Sequence, residues 1–120
     1  MNKEFCDLLK MNFGFINVEP SCRDGWFLLL WELCNNIKAT NPPNDFESTQ
    51  IKEKFGTLRF YTTRSIPEID KLIDYAETES GKVCDWCGKD GTLYDSGGCV
   101  RTRCYNHQDP RKVYISNTLG

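Results

Sequence analysis

Two short pairs of metal-ligating residues carry the most chemistry in this sequence: Cys84-x2-Cys87 and Cys104-x2-His107, with sixteen residues between them. They lie in KVCDWCGKDGTLYDSGGCVRTRCYNHQ, residues 82–108, which holds four of the seven cysteines and the only histidine. Two cysteines at x2 spacing sit on one tight turn and can present both sulfurs to one ion. Gly88 follows directly, where a turn lets backbone N–H groups approach those sulfurs. Tetrahedral zinc takes four such ligands, as two close pairs about 15–20 residues apart. The spacing therefore predicts one zinc ion held by Cys84, Cys87, Cys104 and His107. Cys99 offers a second arrangement, Cys99-x4-Cys104, which would leave His107 free. The repeated x2 spacing favours the first set and makes Cys99 a spare thiol.

The same residues exclude or disfavour other chemistry. A redox CxxC needs a βαβ context, whereas CDWCG leads into glycine-rich turns. An odd number of cysteines suits a full set of disulfides badly. MNKEFCDLLKMNFGF has no basic run before an apolar core and no small-residue cleavage site. The expected compartment is the reducing cytosol, where clustered cysteines are metal ligands more often than bridges. A catalytic zinc keeps three protein ligands and a water, usually beside a carboxylate base. Four good ligands predict a closed, structural site, with Asp85 and Asp90 as ordinary surface acids. If His107 binds the metal, no imidazole remains as general base. No phosphate-cradling glycine loop and no Ser/His/Asp set can be assembled. The expectation is a protein that is not an enzyme.

Length and charge set the frame for these residues. A chain of 120 residues is one domain's worth and can bury a modest core. With 39 % hydrophobic and 12 % aromatic residues it is a globular composition, not a disordered one. The net charge of −2 gives no general reason to expect nucleic acid or an anionic membrane. Residues 1–80 carry nine basic against thirteen acidic side chains; residues 81–120 carry six against four, so the basic surplus is in the cysteine-rich part. No apolar stretch approaches the ~20 residues of a membrane span.

The elements that must position the ligands can be placed coarsely. Asp24 to Ile37 repeats apolar residues at helical spacing (Trp26, Phe27, Leu30, Leu33, Cys34, Ile37), with Asp24 or Ser21 as cap and Pro42-Pro43 beyond its end. Leu28, Leu29 and Trp31 lie off that stripe; Trp31 or Leu28 is a candidate for facing a partner. In STQIKEKFGTLRFYTTR the apolar parity switches from Ile51 and Phe55 to Leu58 and Phe60 at Gly56. That predicts two strands around a tight turn at Lys54–Gly56, or one bulged strand. Lys52, Lys54, Arg59 and Arg64 fall on the non-core side, which reads as a solvated face. Ser65 and Glu68 have capping-box spacing before a helix with an Ile66, Ile69, Leu72, Ile73, Ala76 stripe and a stop at Gly81. The expected fold is α+β: a small helix-plus-β-hairpin part, residues 1–81, with a zinc-binding ribbon-like element, residues 82–120, packed on it as one compact domain.

DGWFLLLWELCNNI, IKEKFGTLRFY, IDYAETES and CDWCGKDGTL…GGCVRTRCYNH occur in that order. In this the chain resembles a family of small, largely uncharacterised phage- and prophage-associated proteins. The likeness covers about residues 24–108, and KEKFG-x-LRFY is its most specific part. The resemblance implies Cys84, Cys87, Cys104 and His107 as ligands and an aromatic residue where Cys99 stands, so that Cys99 is not a ligand. It supplies no enzyme activity. It implies a phage accessory protein in the host cytoplasm, of the kind that binds and blocks a host enzyme, including a defence enzyme.

These readings converge on a non-enzymatic, zinc-stabilised module that binds a protein. The interface candidates are Trp86, Arg101 and Arg103, with Trp31, Tyr94 and Tyr105 as further exposed-aromatic candidates; aromatics and arginine are the usual anchors. The alternative is a nucleic-acid-binding zinc ribbon using Arg101, Arg103, Arg111 and Lys112. A zinc hydrolase or nuclease ranks third.

Overall fold

The computed structural model describes residues 1–108 and 113–114. Its described residues form an α+β fold of three α-helices and two β-hairpins. The helices are α1 (Lys3–Asn12), α2 (Phe27–Ala39) and α3 (Pro67–Ser80). Strands β1 (Ser48–Lys54) and β2 (Thr57–Thr62) form the first hairpin. Strands β3 (Thr92–Ser96) and β4 (Cys99–Arg103) form the second, and β5 (Val113–Tyr114) pairs antiparallel with the other edge of β3.

Helix α2 is the centre of the core. Its stripe of Leu30, Leu33, Cys34 and Ile37 is buried, with Trp26 just ahead of it. These residues share one buried cluster with Leu58, Phe60 and Ile51 of the first hairpin, Ile69, Ile73 and Ala76 of α3, Leu9 of α1 and Phe13 just after it. Asp24 does not cap α2. A 3-10 turn, Asp24–Trp26, precedes the helix, and the Asp24 carboxylate accepts instead from the Asn2 N–H at 2.7 Å, which ties down the start of α1. Ser65 and Glu68 make no capping box either; Ile66 is the N-cap, and the Ser65 hydroxyl bonds to Asp70. Pro67 opens the helix because its fixed φ suits the first turn and its missing N–H is needed by no one there. Gly81 ends it.

The first hairpin has the two-residue turn that the parity switch predicts. Phe55 and Gly56 both take left-handed φ (55° and 86°), the mirror-image turn whose twist matches antiparallel strands. Phe55 therefore belongs to the turn and not to the Ile51 face; it stands 68 % exposed. A side chain at Gly56 would also collide with Leu93 Cδ1 at 2.5 Å, because the second hairpin rests on this turn. The buried Thr102 hydroxyl completes that contact by donating to the Gly56 carbonyl at 2.7 Å.

Candidate metal centre

The second hairpin carries the two ligand pairs to one point. The Cys84 turn is fixed to the hairpin base by backbone bonds: Cys84 N–H to Lys89 O at 2.7 Å, Asp85 N–H to Thr102 O at 2.9 Å and Gly91 N–H to Lys82 O at 2.8 Å. Gly88 takes φ +82° and closes the turn onto the Cys84 carbonyl at 2.9 Å. After β4, Cys104 starts a 3-10 turn, Tyr105–His107, and the His107 N–H bonds back to the Cys104 carbonyl at 3.0 Å. Each pair is thus made by local turn geometry, and β3–β4 pairing sets one pair against the other.

Cys84 Sγ, Cys87 Sγ, Cys104 Sγ and a His107 ring nitrogen lie within 4.8 Å of one another. Cys87 and Cys104 sulfurs are 3.7 Å apart, and His107 Nδ1 stands 3.6 Å from Cys84 Sγ and 3.2 Å from Cys104 Sγ. A tetrahedral zinc with bonds of about 2.3 Å to sulfur and about 2.0–2.1 Å to nitrogen has edges of about 3.8 and 3.6 Å. Three of the donor separations are close to those edges and all lie within 4.8 Å, so the group is suited to one metal ion. The set is Cys3His, with Nδ1 as the nitrogen facing it. Cys99 is not in the group: it lies at the far end of β4, opposite Ser96, four residues and about 13 Å along the strand from Arg103. This decides between the two ligand arrangements in favour of the matched x2 pairs.

The electrostatics call for a cation. Burial raises the Cys84 thiol, but the N–H groups of Cys104, Cys87 and Trp86 and the His107 ring outweigh it and bring it down to about 6. At Cys87 the Lys89 N–H favours the thiolate, yet desolvation and the adjoining Cys104 and Cys84 sulfurs push that thiol up. A positive charge beside Cys84 and Cys87 would favour both thiolates. A bound metal supplies it, and its affinity then depends on pH through the protons it displaces.

Two residues read as surface or interface groups turn out to support the knuckle. Asp85 is not a surface acid; it is 3 % exposed and forms an ion pair with Arg103 Nε at 2.9 Å. It is buried because the Cys84 turn lies directly against β4. Arg103 also lies over the Trp86 ring at 5.2 Å. Arg101 reaches back to Glu53 of β1 at 2.9 Å. Both arginines therefore have partners inside the molecule. Trp86 is half exposed, stacked on the His107 ring (5.5 Å, 16°), with the Arg23 guanidinium 4.6 Å from its centroid. Tyr105 is exposed, but Tyr94 is fully buried and Trp31 packs edge-on against Phe13 at 5.1 Å. Tyr94 stands opposite Arg101 in the β3–β4 register and so shares its face of the hairpin. Arg111 and Lys112 lie outside the described residues.

Gly25 and Trp26 are the contribution of the helical part. The Gly25 N–H donates to the Asp85 carbonyl at 2.9 Å, and a Cβ there would lie 2.3 Å from the Cys84 carbonyl oxygen. Only glycine lets the loop before α2 lie flat against the knuckle. The Trp26 indole N–H donates to Val83 O at 2.8 Å. The adjacency of Gly25 to Trp26 in the sequence was a visible signal of close backbone approach, although it did not say to what.

Neither the sequence, compared with protein-family models and with curated proteins, nor the fold, compared with solved structures, finds a match. Among the described residues, no helix is long and apolar enough to cross a membrane.

Proposed function

We propose that this protein is a non-enzymatic binding module whose Cys3His group holds one structural zinc and whose partner is a protein. The donor chemistry supports zinc: three thiolates and an imidazole at tetrahedral spacing are the ligands of a closed zinc site, which leaves no position for a reacting water. Asp85, buried beside the knuckle, is engaged by Arg103 and is no free base.

The observation that carries the binding reading is an open groove of about 480 Å³ between the knuckle and the first turns of α1 and α2. Phe5, Phe27, Leu28, Leu29, Val83 and Trp86 supply its apolar lining. Leu28 is 74 % exposed there, although it lies on a helix whose other face is the core. A large apolar residue beside a half-exposed tryptophan is the composition of an interface anchor. Following the resemblance, we place the partner in an infected host: a phage accessory protein that occupies the surface of a host enzyme.

Affinity capture from host lysate, with nuclease treatment, tests this reading. Wild-type protein should retain a partner at near-equal molar amounts, and Leu28→Asp should lose it while keeping its metal and its near-UV spectrum. Capture unaffected by Leu28→Asp, or turnover of an excess of target by a trace of protein, would overturn it.

A further inference from the structure

The outer face of the β1–β2 hairpin carries charge that the fold does not use. In the strand register Lys52 stands directly opposite Arg59, Lys54 lies two residues along on the same face, and Gln50 opposes Tyr61. Side chains alternate along strands, so these residues share one surface while Ile51, Leu58 and Phe60 share the buried one. Like charges directly opposite each other destabilise a strand pair. Among the described residues neither Lys52, Lys54 nor Arg59 has an ion-pair partner, and Arg59 Nε is buried without a hydrogen-bond partner. The hairpin's acid does not neutralise them: Glu53 points to the other face and is taken by Arg101 and by the Gly56 N–H. A solvated face of scattered lysines explains none of these costs.

Two aromatic rings bracket the cations. Tyr61 and Phe55 are both exposed, with Lys52 Nζ 5.8 Å from one ring centroid and Lys54 Nζ 5.5 Å from the other. Such surface cation–π contacts are weak, and a flexible lysine leaves the ring readily for a full negative charge. A row of cations with aromatic faces at its two ends matches a ligand whose phosphates alternate with flat bases. An acidic peptide would answer the charge and leave the rings without a role. On the β2 side the face is bounded by acids, Asp70, Asp74 and Glu77, in a cleft that begins at Tyr61. A phosphate chain is thereby confined to the hairpin.

We propose that this face binds single-stranded nucleic acid, with Lys52, Lys54 and Arg59 on the phosphates and Tyr61 and Phe55 stacking on bases. The site is separate from the groove beside the knuckle and stands or falls independently of it. It also differs from the ribbon surface at Arg101 and Arg103, whose charges are spent internally.

Fluorescence anisotropy of labelled oligo(dT) and oligo(U), roughly twelve nucleotides long, tests it on the metal-loaded chain. Three phosphate contacts predict that log K falls with log[salt] at a slope of about −2. The double variant Lys52→Gln/Lys54→Gln leaves one contact and should flatten the slope to about −0.7. Tyr61→Ala should weaken binding about tenfold with the slope kept, since it removes stacking and not charge. Unchanged metal content in each variant separates lost binding from lost folding. Binding of either oligonucleotide with these effects supports the site, and the preferred one identifies DNA or RNA as ligand. No binding at the lowest salt, or a double variant that binds like wild type, overturns it. So does displacement by polyglutamate as effective as by unlabelled oligonucleotide, which would make the face an acceptor for acidic protein.

Discussion

Residues 1–81 and residues 82–108 solve the same stability problem by different means. Every one of the seventeen buried residues of the main apolar cluster lies between Leu9 and Ala76. The second region adds no buried residue to it; Val83 only touches its edge. What the second region buries is Cys84, Asp85, Tyr94 and Thr102, of which Asp85 and Thr102 are polar and Cys84 is a ligand. The first region is held by apolar area removed from water. The second is held by directional bonds: a ligand cluster, one buried ion pair, and the hydrogen bonds that join it to Gly25, Trp26 and Gly56. A hydrophobic core is tolerant and distributed, while a hub of a few directional bonds is strong only while every member is present.

Removing the metal should break this contrast most sharply. Chelation, or Cys84→Ser, should abolish amide protection across residues 82–108 while α2, β1 and β2 remain protected. In such elements metal affinity is folding free energy, about 10–16 kcal/mol in isolated peptides. Loss of protection throughout the chain would show that the first region cannot stand without the second. Acid should produce the same split. Because the folded Cys84 thiol is lowered from 9.0 to about 6, its contribution is fully present above about 9 and is lost progressively as pH falls from there through about 6. Metal retention measured against a colorimetric chelator should therefore weaken progressively as pH is lowered across that range.

Arg103→Ala should be the next largest effect. It leaves the buried Asp85 carboxylate without its cation, a loss of about 3 kcal/mol by analogy with broken buried pairs. Denaturant titration followed by Trp86 fluorescence would report it; a shift below about 0.5 kcal/mol would mean that solvent reaches Asp85 and that the pair is dispensable.

Gly56→Val probes the seam between the regions. The left-handed φ alone costs about 1–3 kcal/mol for a β-branched side chain, and the Leu93 contact adds to it. Unchanged thermal stability would place Gly56 in ordinary strand geometry and the second hairpin away from the turn.

Cys99→Ala should do least. Cys99 is exposed and outside the ligand group, so metal stoichiometry should stay at one and stability should move by less than about 0.5 kcal/mol. A variant that loses its metal would return Cys99 to the ligand set.

The ligand set was legible because its constraints are local. An x2 spacing forces two side chains onto one turn, and Gly88 marks the φ that turn requires. The Gly56 turn, the α2 stripe and the α3 stripe were legible for the same reason: each is a period or a break within about a dozen residues. Helix α1 was equally local and was missed. Phe5, Leu9 and Phe13 recur at helical spacing after Asn2, whose side chain accepts the Phe5 N–H as an N-cap at 2.8 Å. Its short length and its terminal place hid a signal that was there.

By itself, then, the sequence determined which residues gather as a group suited to a metal ion, where the chain turns and which helix faces are apolar, since these follow from spacings of two to four residues. The tertiary structure alone decided how the remaining polar groups are used. Arg103 meets Asp85 across 18 residues, Arg101 meets Glu53 across 48, and the Trp26 indole meets Val83 across 57. No periodicity encodes such pairs, because each partner's position depends on the path of everything between. The same holds for what is left over. That Leu28 is bare, that Tyr94 is buried, and that Lys52 faces Arg59 with no ion-pair partner among the described residues became visible only when hairpin, helix and knuckle had claimed their own contacts. Binding surfaces are what folding leaves unsatisfied, and that remainder exists only in three dimensions.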